Sequence, residues 1–244
     1  IPYNEYIWEY VSPIGDLIFN RGIDLIGITG SDSNLPKLIV PSQEDETTFY
    51  SKNVLNLGRS CTIKNLSFTN IEFDIRTAWS HGAGETLDIK FENCTFNNCR
   101  FLCHMTQNET LLSLTIDRCK FIDSSFQASN NTFKTHSISI KNSYIELNPG
   151  SPRYFLWLSM GNHQQCVCDI SNNFIVNSSD ATGTSLATID ISAPYGVAGT
   201  RNSVKIHNNV IVHGTNADTS SIHVQGIPNV HITDNRIIYT YASP

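Results

Sequence analysis

Glu92 and Asp117 occupy equivalent places in two similar strings, Ile89-Lys-Phe-Glu92 and Leu114-Thr-Ile-Asp117. If such strings stack as neighbouring strands, the two carboxylates stand ~4.8 Å apart at the backbone. A close carboxylate pair splits its protonation and supplies one acid and one base or nucleophile, the equipment of glycoside hydrolysis. Lys64, Lys90 and Lys141 flank the pair and suit an acidic sugar. The same residues, in the order plus, minus, minus, plus, also make a solvated ion-pair ladder, which needs no function. A second set, Asp74, Arg76 and His81 with Glu85, combines acid, base and cation, and Trp79 beside it offers a ring for a sugar to stack on. His104, Tyr154 and Trp157 extend this polar and aromatic inventory. These residues fall in expected loops, and sites favour loops held on a rigid scaffold.

The scaffold is written as a repeat. Val204-Lys-Ile-His-Asn-Asn-Val-Ile211 recurs as Cys61-Thr-Ile-Lys-Asn-Leu-Ser-Phe68, Ile89-Lys-Phe-Glu-Asn-Cys-Thr-Phe96, Leu114-Thr-Ile-Asp-Arg-Cys-Lys-Phe121, Ile138-Ser-Ile-Lys-Asn-Ser-Tyr-Ile145, Cys168-Asp-Ile-Ser-Asn-Asn-Phe-Ile175 and Val230-His-Ile-Thr-Asp-Asn-Arg-Ile237. Its second apolar residue is Ile63, Phe91, Ile116, Ile140, Ile170, Ile206 and Ile232, at steps of 24 to 36 residues. One such unit cannot bury its own apolar side, so the units must stack. Each begins with strict apolar–polar alternation, the period of a strand with one face buried. No unit has the three-and-four spacing of a helix. The expected insertions follow a second strand in each copy, over 74–86, 103–110, 127–135, 149–165, 178–201 and 214–219.

Asn65, Asn93, Asn142, Asn172 and Asn208 share one column, with Arg118 and Asp234 completing it. Asn tolerates the left-handed backbone and bonds to nearby backbone groups, so this column is an expected corner. The next column reads Leu66, Cys94, Cys119, Ser143, Asn173, Asn209, Asn235. Of seven cysteines, Cys61 and Cys168 share one inward column and Cys94 and Cys119 another, which reads as buried stacking rather than a disulfide framework. Cys99 and Cys103 beside His104 lack a second ligand pair for zinc.

The periodic pattern and the Asn column resemble the right-handed parallel β-helix, or pectate-lyase-like, superfamily over roughly residues 17 to 240. The expected fold is all-β: a right-handed single-stranded parallel β-helix over 17–244, with 1–16 as an N-terminal cap or incomplete coil. The superfamily holds polysaccharide lyases, glycoside hydrolases, esterases, tailspikes and adhesins, so fold alone does not select an activity. The galacturonase strings are missing, His81-Gly-Ala-Gly84 being the nearest. A lyase Trp-Ile-Asp-His segment is only faintly matched by His231-Ile-Thr-Asp234.

The formal net charge of −6 disfavours nucleic acid, and no run is long enough for a membrane span. No phosphate loop or serine nucleophile elbow is present. The expected role is to engage an extracellular polysaccharide as a glycoside hydrolase or lyase. Glu92, Asp117, Asp74 and His81 are the candidate catalytic groups. Lys64, Lys90, Lys141, Arg76, Trp79, His104, Tyr154 and Trp157 are the candidate sugar contacts. No cofactor is expected, save calcium if the chemistry is that of a lyase, with Asp88, Glu92 and Asp117 as the dense oxygen source. The other reading is a non-catalytic carbohydrate-binding, adhesin or virion-surface module. Expected settings are extracellular, cell surface or virion, as a homotrimer or as part of a larger chain.

Overall fold

The computed structural model describes residues 5–7, 24–28, 35–39, 54–75, 86–103, 111–129, 135–150, 154–159, 165–179, 187–193, 202–214 and 221–240. Their strands form three sheets, in which every pairing is parallel. The first sheet runs through Leu25–Ile26, Cys61–Lys64, Thr86–Glu92, Leu111–Asp117, Thr135–Lys141, Gln165–Ser171, Ser203–His207 and Asn229–Thr233. The second runs through Glu5–Ile7, Lys37–Ile39, Ser67–Thr69, Thr95–Asn97, Lys120–Ile122, Tyr144–Leu147, Phe174–Asn177, Val210–His213 and Arg236–Tyr239. The third runs through Val54–Leu57, Glu72–Ile75, Arg100–Cys103, Ser125–Ser129, Leu156–Ser159, Ile189–Ser192 and Ile222–Gln225. The chain visits first, second and third sheet in turn and then begins the next coil, a parallel β-solenoid.

The repeat sets the register of the first sheet. Ile63, Phe91, Ile116, Ile140, Ile170, Ile206 and Ile232 pair in one unbroken column. All but the last are sealed from solvent. Phenylalanines fill the early coils: Phe73 stacks on Phe101 at 4.6 Å, and Phe96 meets Phe101 edge-on at 4.9 Å. Such offset and edge contacts suit the ring quadrupole.

Asn65, Asn93, Arg118, Asn142, Asn172, Asn208 and Asp234 all turn the first corner with φ between 50° and 58°. This is the left-handed region, where Asn and Asp are enriched. The Asn93 amide donates to Asn65 Oδ1 at 2.8 Å, bridging two coils. Where Arg118 interrupts the column, the Asn142 amide reaches Asp117 Oδ1 at 2.7 Å instead. Inside the corner a second ladder runs through Cys119, Ser143, Asn173, Asn209 and Asn235, each supplying a side-chain oxygen to the backbone N–H before it from Ser143 onward.

Two expectations need correction. The eight-residue repeat is two strands with a corner between them, and the strand expected after it is a third. A second left-handed corner, Asn70, Asn98 and Asp123, separates the second sheet from the third. The expected insertions 149–165 and 178–201 also contain third-sheet strands, Leu156–Ser159 and Ile189–Ser192. Asp74 and Trp157 are therefore strand residues. Residues 5–7, within the stretch expected as a cap or incomplete coil, form a strand of the second sheet.

The six described cysteines, Cys61, Cys94, Cys99, Cys103, Cys119 and Cys168, are buried. No helix of the described residues is long and apolar enough to cross a membrane.

Candidate functional site

The outer faces of the three sheets differ in chemistry and in exposure. On the first sheet, Glu92 and Asp117 do stand side by side in register. Each is also held by cations. Lys64 Nζ lies 3.0 Å from Glu92, and Arg118 lies 2.7 Å from Asp117 and 3.9 Å from Glu92. Lys90 pairs with Asp88 on its own strand at 2.9 Å. Lys141 turns away from Asp117 to Asp169 at 3.0 Å. Burial alone would raise the Asp169 carboxyl, but the bond and charge of Lys141, with Ser171 and His207, hold it below its ordinary 3.8. These groups are partly exposed, so the ladder contributes little stability.

The second sheet presents rings. Tyr144 and Phe174 stack at 5.9 Å, Lys120 lies 5.4 Å from the Tyr144 ring centre, and Phe174 is exposed.

The third sheet is different. Ile71, Phe73 and Ile75 point into the core, so Glu72 and Asp74 between them stand on the outer side. Yet both are only 7 % exposed. Leu102, Ser125 and Asp190 are likewise outward by alternation and buried. Buried outward carboxylates are costly unless paired or protonated, and groups held in that state mark candidate sites.

Pairing fixes the order of this face. Its central outward column reads Asp74, Leu102, Gln127, Trp157, Asp190, His223. Beside it, Glu72 is in register with Arg100. The Arg100 guanidinium donates to Gln127 Oε1 at 2.8 Å. The Tyr154 hydroxyl donates to the same oxygen at 3.4 Å, and the Tyr154 ring lies 5.9 Å from that of Trp157. His223 Nδ1 lies 3.3 Å from Asp190 Oδ1. Burial pushes the Glu72 carboxyl above its ordinary 4.5; Arg100 opposes this and Asp74 adds to it.

Of the residues singled out from sequence, the structure brings Asp74, Tyr154 and Trp157 to this one face. Lys64, Lys90, Lys141, Glu92 and Asp117 lie on the first sheet. Arg76, Trp79, His81 and His104 lie outside the described residues. Glu72, Arg100, Gln127, Asp190 and His223 were missed. Their signal was available: Glu-Phe-Asp-Ile, Ile-Asp-Ile-Ser and Ile-His-Val-Gln each alternate with period two. Among the described residues no group of three or more His, Cys, Asp or Glu converges as a metal cage.

Comparison with protein-family models, with curated proteins and with solved structures finds no match in any of the three. The functional reading therefore rests on this geometry alone.

Proposed function

We propose that the outer face of the third sheet is a glycan-binding surface, and that the chain is a carbohydrate-active member of the right-handed, pectate-lyase-like β-helices. The observation that carries this is the unbroken run Arg100, Gln127, Tyr154 and Trp157 beside the buried carboxylates Glu72 and Asp74. An aromatic pair gives a sugar ring an apolar face, while Gln127 and Arg100 give its hydroxyls polar partners. Asp74 and Trp157 are three strands apart, ~14 Å at strand spacing, so the surface suits several sugar rings in a row.

Glu72 and Asp74 supply a hydrolytic pair. Two residues apart on one strand, their Cα atoms are separated by ~6.7 Å. Inverting glycosidases use two carboxyl groups with room for a water between them, and two side chains on one face of one strand can flank a bond in this way. Burial keeps Glu72 protonated to higher pH, the property of the acid that protonates a leaving oxygen. Asp74 takes the proton of the attacking water. The partly exposed, cation-bound Glu92 and Asp117 lack this division of environments.

The test is oligosaccharide binding and reducing-end release across acidic and neutral polysaccharides, comparing Trp157→Ala, Glu72→Gln/Asp74→Asn and Glu92→Gln/Asp117→Asn. The reading expects Trp157→Ala to weaken binding and Glu72→Gln/Asp74→Asn to abolish release. Binding without release by the wild type would favour an adhesin-like binding module. Release lost only in Glu92→Gln/Asp117→Asn would move the chemistry to the first sheet.

A further inference from the structure

We infer that His223, positioned by Asp190, is the general base of a second centre on the same face, one that hydrolyses acyl esters carried by the glycan. The inference rests on the third sheet being the glycan surface. It does not rest on Glu72 and Asp74. His223 is five strands from that pair along the sheet, ~24 Å, too far for the two sets to act on one bond.

Asp190 stands outward between Ile189 and Ile191 but is only 3 % exposed. Its Oδ1 lies 3.3 Å from His223 Nδ1. The approach is not aligned as a formed hydrogen bond, leaving Nδ1 without a satisfied partner. Catalytic contacts are commonly loose before substrate arrives. A buried carboxylate facing Nδ1 favours the tautomer protonated there, which leaves Nε2 as the base. His223 is partly exposed. Trp157 adjoins Asp190 in the same column, so a sugar ring on the indole brings its substituents toward His223.

Among the described residues, the neighbourhood fits one reaction best. Glycosidic hydrolysis needs an acid and a base flanking one bond, and Asp190, 3 % exposed and facing His223 Nδ1, is not open to a sugar oxygen. β-Elimination needs a cation on the uronate carboxylate. Arg100, the outward cation described on this sheet, is four strands away, ~19 Å. Ester hydrolysis needs one imidazole to serve twice. Water attacks the acyl carbon as its proton passes to Nε2. The tetrahedral intermediate then collapses, the bond to the sugar oxygen breaks, and the Nε2 proton passes to that oxygen. The products are a carboxylic acid and a free sugar hydroxyl.

The experiment is acetate release from p-nitrophenyl acetate and from acetylated xylan by the full chain. The wild type is expected to turn over both, with p-nitrophenyl acetate reporting His223 even if the glycan surface is wrong. His223→Ala should lower kcat/KM by about 10²–10⁴-fold, and added imidazole should restore part of the loss. Asp190→Asn should lower kcat more than it raises KM and change the pH profile, which a purely structural role would not do. Ser192→Ala should retain activity, since water is the nucleophile. No turnover of either ester by folded wild type, or equal turnover by His223→Ala, overturns the inference; loss in Ser192→Ala overturns direct water attack. Turnover of p-nitrophenyl acetate alone, unaffected by Trp157→Ala, would retain the base and reject the glycan as its substrate.

Discussion

The side chain of Asn209 accepts the backbone N–H of Asn173, one coil before it, through Oδ1 at 2.9 Å. The same oxygen takes the Asn173 side-chain amide at 3.0 Å. The Asn209 amide in turn donates to Ile170 O at 2.9 Å and to Asn235 Oδ1 at 2.9 Å. A corner that leaves sheet pairing would otherwise bury unpaired backbone groups. Asn, with both an acceptor and two donors, serves the coil on each side.

Asn209→Ala should therefore destabilise the solenoid well beyond the lost side chain. It leaves buried donors and an acceptor unpaired, and each such group costs about 1–3 kcal/mol. The urea midpoint should fall with little change in slope, since the surface exposed on unfolding is nearly the same. Asn208→Ala, on the exposed corner column next door, loses an Asn at φ 57° but no buried partner. Its cost should be smaller, about 1–2 kcal/mol for the left-handed backbone alone. Equal midpoints for the two variants would contradict the interior ladder.

The thiols make a second test. Cys61 and Cys99 are both pushed up to about 12, first by burial, with Asp24 and Asp88 adding to the effect at Cys61. Burial also raises Cys103 and Cys119. Only the thiolate reacts, so iodoacetamide at pH 8 should leave all four unlabelled in native protein and label them in urea. Rapid native labelling of Cys61 or Cys99, read by peptide mass, would show that the core opens locally there.

The difference between what was legible in the chain and what was not lies in spacing. The first-sheet anchors from Ile63 to Ile232 and the corner column from Asn65 to Asp234 could be read because strand, corner and strand follow without insertion. The third sheet is bounded by segments of varying length, so Leu156–Ser159 and Ile189–Ser192 had no fixed distance from the repeat. Asp74 and Trp157 were recognisable by residue type, though assigned to loops. Glu72, Asp190 and His223 were not, because alternation says that a residue faces outward, not that the outward face is covered. Glu92 and Asp117 show the converse: their register was legible, while the arginine at position 118 that pairs with both was read only as a break in the Asn column.

His213 gives a pH dependence of definite sign. It is fully buried at the end of Val210–His213, stacks on Tyr239 at 5.3 Å, and has no hydrogen-bond partner among the described residues at either ring nitrogen. Burial holds its pKa below the ordinary 6.5. The unfolded chain thus takes up a proton near pH 6.5 that the folded chain refuses until lower pH, so stability is full above 6.5 and falls as pH drops through it. Between pH 7.5 and 5.5 the thermal midpoint should decline. In His213→Leu the decline should flatten, with other titrating groups common to both proteins. An unchanged slope would mean that His213 gains a proton partner in solution.

Glu72 has the opposite sign and joins stability to function. Its folded pKa is raised above 4.5, chiefly by burial, so the folded chain binds the proton more tightly than the unfolded one. That contribution is fully present below pH 4.5 and is lost as pH rises through the raised value. Above that raised value the carboxylate is a strain on the fold, only partly relieved by Arg100 across the strand pair. Glu72→Gln removes the charge and keeps the shape, so its urea midpoint should be near the wild type's at pH 4 and should gain on it as pH rises through the raised value. If Glu72 is the acid of a glycosidic site, the same variant must lose reducing-end release while gaining stability, the exchange expected where a site keeps a destabilising group for its chemistry. A retained stability gain without any loss of release would leave Glu72 as a buried charge with no catalytic part. A loss of both stability and release would mean that Arg100 and Gln127 need the carboxylate to hold the surface in shape.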